Sequence, residues 1–242
     1  MRYVGSKNRF KKEIAPILQN IIDNNNIKSY YEPFVGGCNM IDVIQCEKRV
    51  GNDMHTYLID MWKALQSGWK PPIHITEDEY YKVKNNKNEY SSYYVGLVGF
   101  AASYGAKWFG GYARGFKSDG ITPRDMPNEG IRNILRQVDK IKDVKFISGD
   151  YKEITPIDKL NGWLIYCDPP YKGTTRYSEN INHDIFWKWC EKIGKNNIII
   201  VSEYSAPDGW VCIWSKDTTT SLKTGAHSKR TEKLWQYKGV DI

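Results

Sequence analysis

The apolar run at residues 163–167 stops at Asp168-Pro169-Pro170-Tyr171, and this junction constrains the fold more than any other stretch of the chain. Each proline fixes its own φ and lacks an N–H, and Pro170 restricts Pro169 in turn, so no helix or strand ladder runs through the tetrapeptide. The run therefore reads as a short buried strand ending in a stiff loop. Residues 26–31, 49–52, 144–148, 197–202 and 210–214 read as further strands. Helical periodicity marks 10–22, 40–48, 54–66 and 184–193, with Pro16 the one feature against an unbroken first helix. Ile131, Ile134, Leu135, Val138 and Ile141 form another helical stripe. Strands alternating with helices predict an α/β fold around a mostly parallel sheet, in which ligands sit beyond the carboxyl ends of the strands.

A chain of 242 residues is long enough for one sizeable α/β domain with a smaller insertion. Gly68-Trp69-Lys70-Pro71-Pro72 breaks the pattern, and the sequence from there to about residue 128 is rich in Tyr, Lys, Asn and Gly. The expected division is a main domain of residues 1–66 and 129–242 and an inserted lobe of residues 67–128. A net charge of +7 favours a polyanionic partner and disfavours an acidic one. The 5 cysteines lie far apart with no C-x-x-C pair, so neither a disulfide framework nor a zinc site is expected, and no metal is required. No stretch approaches a membrane span and the first residues lack the apolar core of a signal peptide, which predicts a soluble cytoplasmic protein without a membrane partner.

The loop chemistry suits an aromatic amine, whose lone pair is delocalised into its ring. Asp168 can accept one N–H and the Pro169 carbonyl the other, drawing the nitrogen toward tetrahedral geometry, while Tyr171 offers a ring for stacking. The competing reading makes the tetrapeptide a turn begun by Asp and stiffened by proline. Glu32-Pro33-Phe34-Val35-Gly36-Gly37 follows the first strand, where glycines allow close approach of a ligand or merely a tight turn. Asp53 ends the second strand, the place of a ribose-binding acid in nucleotide-binding α/β domains, or alternatively of a helix N-cap. Candidate polyanion contacts are Lys107, Arg114, Lys117 and Arg124, with the helical row Arg132, Arg136 and Lys140; Trp108, Phe109 and Tyr112 are candidates for a stacking surface. For each, a solvated or packed role competes. Lys172, Arg176 and Tyr177 read as a lid or as exposed loop.

Taken in order, these features resemble the DNA adenine-N6 methyltransferases related to bacterial Dam and its phage counterparts. The resemblance rests on Arg2-Tyr3-Val4-Gly5-Ser6-Lys7, the Glu32 to Gly37 loop, Asp53, Ser148-Gly149-Asp150-Tyr151, Asp168-Pro169-Pro170-Tyr171, Val201-Ser202-Glu203-Tyr204 and Lys229-Arg230-Thr231-Glu232-Lys233-Leu234, and so covers most of the chain. It implies a Rossmann-like class I methyltransferase sheet with a small, mostly helical target-recognition lobe inserted. It implies S-adenosylmethionine as cofactor, double-stranded DNA as partner, and N6 of a flipped adenine as acceptor, in a monomer or weak dimer of a bacterial or phage-infected cell. Tyr3 and Lys7 would then meet the cofactor's methionine end, Asp53 its ribose, and Asp150 with Tyr151 its adenine. Glu32, Pro33, Phe34 and Gly36 would complete the cofactor site, with Asp168 between cofactor and base. Cys38 departs from the family pattern, which has another small residue after the paired glycines, and the short lobe gives no basis for carrying over a GATC site. Cytosine N4 chemistry, and a DNA-binding module without catalysis, are the alternative readings.

Overall fold

The computed structural model describes residues 1–153, 160–171, 181–221 and 227–239; Lys172, Arg176 and Tyr177 lie outside them, and of Lys229 only the backbone is described. A 3-10 turn at Lys7–Phe10 leads into α1 (Lys11–Asn24), followed by β1 (Ser29–Glu32), β2 (Lys48–Asp53) and α2 (Thr56–Gln66). Helices α3 (Glu77–Asn85), α4 (Ser92–Ala101) and α5 (Met126–Val138) come next, then β3 (Lys145–Ser148) and β4 (Leu164–Cys167). The chain closes with α6 (His183–Gly194), β5 (Ile198–Ser202), β6 (Trp210–Ser221) and β7 (His227–Tyr237).

The strands form a 7-stranded sheet in the order β3-β2-β1-β4-β5-β7-β6. Strands β1 to β5 pair in parallel, whereas β7 is antiparallel to both β5 and β6. This is a Rossmann-like, doubly wound sheet with an antiparallel hairpin at one edge. Every residue of β4 and β5 is buried, as a central strand covered on both faces requires. The strand order reverses between β1 and β4, so the loops after these two strands diverge and leave a crevice between them.

Pro16 sits inside an unbroken α1, at the cost of one intrahelical hydrogen bond. The segment 40–48 is not the expected helix but a series of turns leading into β2. Side chains take carbonyls of this segment and of the turn before it: Arg49 donates to Ile41 O at 2.6 Å and Ile44 O at 3.2 Å, and Gln137 donates to Gly37 O at 3.2 Å and Cys38 O at 3.1 Å. Buried Arg49 is held in turn by Asp143, with Nε to Oδ2 at 3.0 Å. Strand β6 is longer than its apolar stretch, and β7 has no counterpart in the sequence reading, because polar residues dominate both strands of this edge hairpin. Leu135 faces outward at 38% exposure, and Gln137 takes a buried place on the same helix.

Residues 67–128 share a core with the rest of the chain. Leu58 and Met61 of α2, Val95 and Val98 of α4, and Ile131 and Ile134 of α5 belong to one buried cluster. Helix α4 lies so close to α2 that a Cβ on Gly96 would stand 2.1 Å from the carbonyl oxygen of Tyr57, so glycine is required there. Beyond α4 the chain forms a protruding loop, pinned by bridges Ser103 to Tyr112 and Phe116 to Pro123. Its tip turns on Asp119, whose Oδ1 accepts from Ile121 N and Thr122 N at 2.9 Å each.

Candidate active site

A cavity of about 810 Å³ opens at the carboxyl ends of the strands, between the loops after β1 and β4. Tyr3, Lys7, Glu32, Pro33, Phe34 and Gly36 line it, as do Asp53, Asp150 and Tyr151 and the whole of Asp168-Pro169-Pro170-Tyr171. The fold thus brings together every residue expected to serve cofactor or chemistry, from segments up to 168 positions apart.

The floor is built from the Glu32 to Gly37 loop. Gly36 has φ +45°, and a Cβ there would lie 2.8 Å from Cε1 of Tyr3, so the glycine admits both the left-handed turn and the close passage of the N-terminal segment. Cys38 also takes a left-handed φ, of 55°, although it carries a side chain, and that side chain is fully buried. Asp53 binds the two neighbouring loops together, since its Oδ2 accepts from Gly36 N at 3.0 Å and its Oδ1 from His55 N at 2.9 Å. Each carboxylate oxygen has a second lone pair, so the same group retains acceptor capacity toward the cavity. Burial pushes the Asp53 carboxyl up to about 6, against the two backbone hydrogen bonds. Asn52, beside it, donates to Pro33 O and Gly149 O at 3.0 Å each and so joins the loops after β1 and β3.

On the far side, Asp150 Oδ1 accepts from Lys152 N at 3.0 Å, and Lys152 Nζ stands 3.1 Å from Oδ2. The Tyr151 ring packs on Phe34 at 5.2 Å and on Trp189 at 4.9 Å. Met54 and Ile185, both about half exposed, also line the cavity, so an apolar surface flanks the acids. His55 lines it as well; burial lowers its imidazole to about 4, and among the described residues Nδ1 has no hydrogen-bond partner. Its ring sits 4.2 Å from Trp108 and 4.9 Å from Phe100.

At the chemical end, Asp168 emerges from β4 with its Oδ1 at 2.8 Å from Lys7 Nζ. Burial raises the Asp168 carboxyl above its ordinary value, and Lys7 opposes that rise. Oδ2 carries no hydrogen bond among the described residues. Tyr171 is tied down more firmly than a free stacking ring: its hydroxyl meets Ser202 Oγ and Glu232 Oε2 at 2.8 Å each, and Lys7 Nζ lies 4.2 Å from its ring centroid. Lys7 therefore stands on the Asp168 to Tyr171 loop. Glu32 is buried beside Asp168 and accepts from Tyr30 OH at 2.8 Å, and desolvation holds its carboxyl well above the ordinary range.

None of Lys107, Tyr112, Arg114, Lys117, Arg124, Arg132 or Arg136 lines this cavity. Tyr112 donates to Ile75 O at 2.8 Å and Phe109 is buried against Tyr80, so both rings are packing elements. Arg114 is exposed and pairs with Glu77, with Nε to Oε2 at 3.1 Å; Arg124 pairs with Glu129 at 2.9 Å. Lys107, Lys117, Arg132 and Arg136 are exposed. The exposed apolar side chains of the protruding loop are instead Tyr104, Phe116 and Ile121, at 67%, 60% and 80%. Arg9 and Arg230, exposed on the cavity lining, are further cations: Arg9 lies in none of the motifs, and Arg230 stands in the Lys229 to Leu234 segment without a role having been assigned to it.

Residues 3–98 match the family model of the D12 class N6 adenine-specific DNA methyltransferases. The match covers about two-fifths of the chain. Two curated relatives are similar at 24% identity. One, modification methylase StsI of Streptococcus sanguinis, aligns over 72% of this chain and 29% of its own length. The other, type II methyltransferase M.MjaIII of Methanocaldococcus jannaschii, aligns over 74% of this chain and 70% of its own. The chain thus spans less than a third of the StsI methylase. Among solved structures, a candidate RNA methyltransferase, PH1948 from Pyrococcus horikoshii, is similar with a TM-score of 0.41 and 8% identity, over 94% of this chain and 82% of that one.

Proposed function

We propose that this chain is a site-specific DNA methyltransferase that moves a methyl group from S-adenosylmethionine to N6 of an adenine swung out of the duplex. The observation that carries the reading is that the Asp168 carboxylate opens into the same cavity as Asp53 and Asp150. The cavity is of the size that holds a small cofactor. Its residues suit this cofactor: Asp53 has acceptor capacity for ribose hydroxyls, Met54 and Ile185 offer apolar surface for a purine, and Asp150 is an acceptor beside them for its amine.

When bound, S-adenosylmethionine supplies a methyl group activated by its sulfonium sulfur. The protein's part is orientation and proton handling. Lys7 holds Oδ1 of Asp168, which leaves Oδ2 to accept one N–H of the target amine, and the Pro169 carbonyl takes the other. Once it carries the methyl group, the amine nitrogen would be acidic. Asp168, whose proton affinity is raised by burial, receives the proton and returns it to solvent.

The adenine reaches this loop only if it leaves the base stack, at a cost of roughly a few kcal/mol. Phosphate contacts offset that cost, and we assign them to Lys107, Arg114, Lys117, Arg124, Arg132 and Arg136, with residues 67–128 as the target-recognition region. Phe116 and Ile121, projecting beside Lys117, have the exposure expected of side chains that wedge into a duplex. The test is transfer from labelled S-adenosylmethionine to DNA, followed by digestion and identification of the modified base. N6-methyladenine is expected, with loss of at least about a hundredfold in Asp168→Ala and cofactor affinity within about threefold. N4-methylcytosine as product, or full turnover in a folded Asp168→Ala protein, would refute the reading.

A further inference from the structure

Glu232 lies on β7, a strand contributed by the end of the chain, yet its side chain reaches the catalytic loop after β4. Its Oε2 accepts from the Tyr171 hydroxyl at 2.8 Å and stands 3.8 Å from Lys7 Nζ. Lys7 in turn stands 2.8 Å from Asp168, so one ammonium group sits between two carboxylates. All three side chains are largely removed from solvent, at 8% exposure for Lys7, 19% for Asp168 and 14% for Glu232, where charges act on one another with little screening.

We propose that Glu232 is a positioning residue for methyl transfer: it shares Lys7 with Asp168 and tethers Tyr171, so that Asp168 keeps net negative charge and a free oxygen for the target amine. This deepens the methyltransferase reading and rests on it. With Lys7 given wholly to Asp168, the pair would be neutral and the carboxylate a weaker acceptor for the amine and for its released proton. With Glu232 present the cluster carries a net charge of about −1 when all three are ionised. The groups facing it are Lys7 from the 3-10 turn, Glu32 from β1, Tyr166 from β4, Asp168 and Tyr171 from the loop, and Ser202 from β5. Glu232 pushes the Asp168 carboxyl up and Lys7 pulls it down, so removing the Glu232 charge alone moves Asp168 downward.

Glu232→Gln separates charge from shape, because its amide oxygen still accepts from Tyr171. The measurement is kcat and KM against pH on the full chain, after the wild-type protein has been shown to produce N6-methyladenine. In Glu232→Gln, kcat should fall about tenfold, cofactor KM should hold within about twofold, and the acidic limb of the kcat profile should shift to lower pH. Glu232→Asp should restore the limb to its wild-type position, since the charge returns. An unchanged limb in Glu232→Gln, or a loss confined to KM, would overturn the assignment. If Glu232→Gln fails to fold, Tyr171→Phe provides the second arm: it removes the tether and keeps the charge, and should lower kcat without moving the limb. A limb displaced in Tyr171→Phe as well would equally overturn it. Absence of N6-methyladenine from the wild type would instead count against the methyltransferase reading.

Discussion

Binding of S-adenosylmethionine should strengthen as pH rises through about 6, and the cause is a single carboxyl. Asp53 is half-buried in the cavity wall and desolvation raises its pKa to about 6, whereas the imidazole of His55 nearby is lowered to about 4 and stays neutral through the same window. Both Asp53 oxygens already accept a backbone N–H, and ribose hydroxyls add as donors to the remaining lone pairs of the ionised group. Affinity then follows the ionised fraction, roughly nine-tenths at pH 7 and one-tenth at pH 5, so Kd should rise about tenfold between them, or about 1.4 kcal/mol. Without cofactor the sign is opposite. A carboxyl raised on folding contributes most to stability below its unfolded value and loses that contribution as pH rises through its folded one. The thermal shift produced by cofactor should therefore grow from pH 5 to pH 7 while the unliganded protein gains nothing from Asp53. Calorimetric titration at pH 5, 6, 7 and 8, with Asp53→Asn alongside, measures it. Equal slopes for the two proteins, or a wild-type Kd that is flat across the range, would refute the reasoning.

Gly36→Ala should lower stability by about 1–2 kcal/mol, from the left-handed φ of +45° alone, and weaken cofactor binding further, because its new Cβ would lie 2.8 Å from Tyr3. Paired denaturation and cofactor titration check this, and a stable variant with wild-type affinity contradicts it. Replacing Phe116 and Ile121 together by Ser should leave the melting temperature unchanged, given their exposure, and raise the KM for DNA several-fold with no change for cofactor. Arg114→Ala should behave likewise in DNA titrations and reduce their salt dependence; equal losses toward DNA and cofactor would remove Arg114 from the DNA surface.

Local chemistry made much of the site legible. Asp168-Pro169-Pro170-Tyr171, Asp53 and the Gly36-Gly37 turn each announce themselves over a few residues, since proline and glycine restrict or free the backbone wherever they stand. The parallel strands were likewise readable, because a doubly covered strand such as Ile198–Ser202 is a continuous apolar run. Segment 40–48 misled for the complementary reason: its apolar spacing is helical, but Arg49 and Gln137 supply donors to the carbonyls of this stretch and of the turn before it, and make turns the better arrangement. Phe109 and Tyr112 carry the composition of a stacking surface and serve as packing, a distinction that depends on what faces them.

The sequence by itself determined that strands alternate with helices, where the stiff acidic loop falls and which acids end the strands, because these follow from the covalent limits of proline and glycine and from apolar periodicity. Tertiary structure alone decided that Lys7, Asp168, Tyr171 and Glu232 meet, that Asn52 ties two loops together, and that Phe116 and Ile121 project from the surface. Charge and hydrogen bonding act across a few ångströms of space, and segments brought that close by a crossed sheet leave no trace of the meeting in their spacing along the chain.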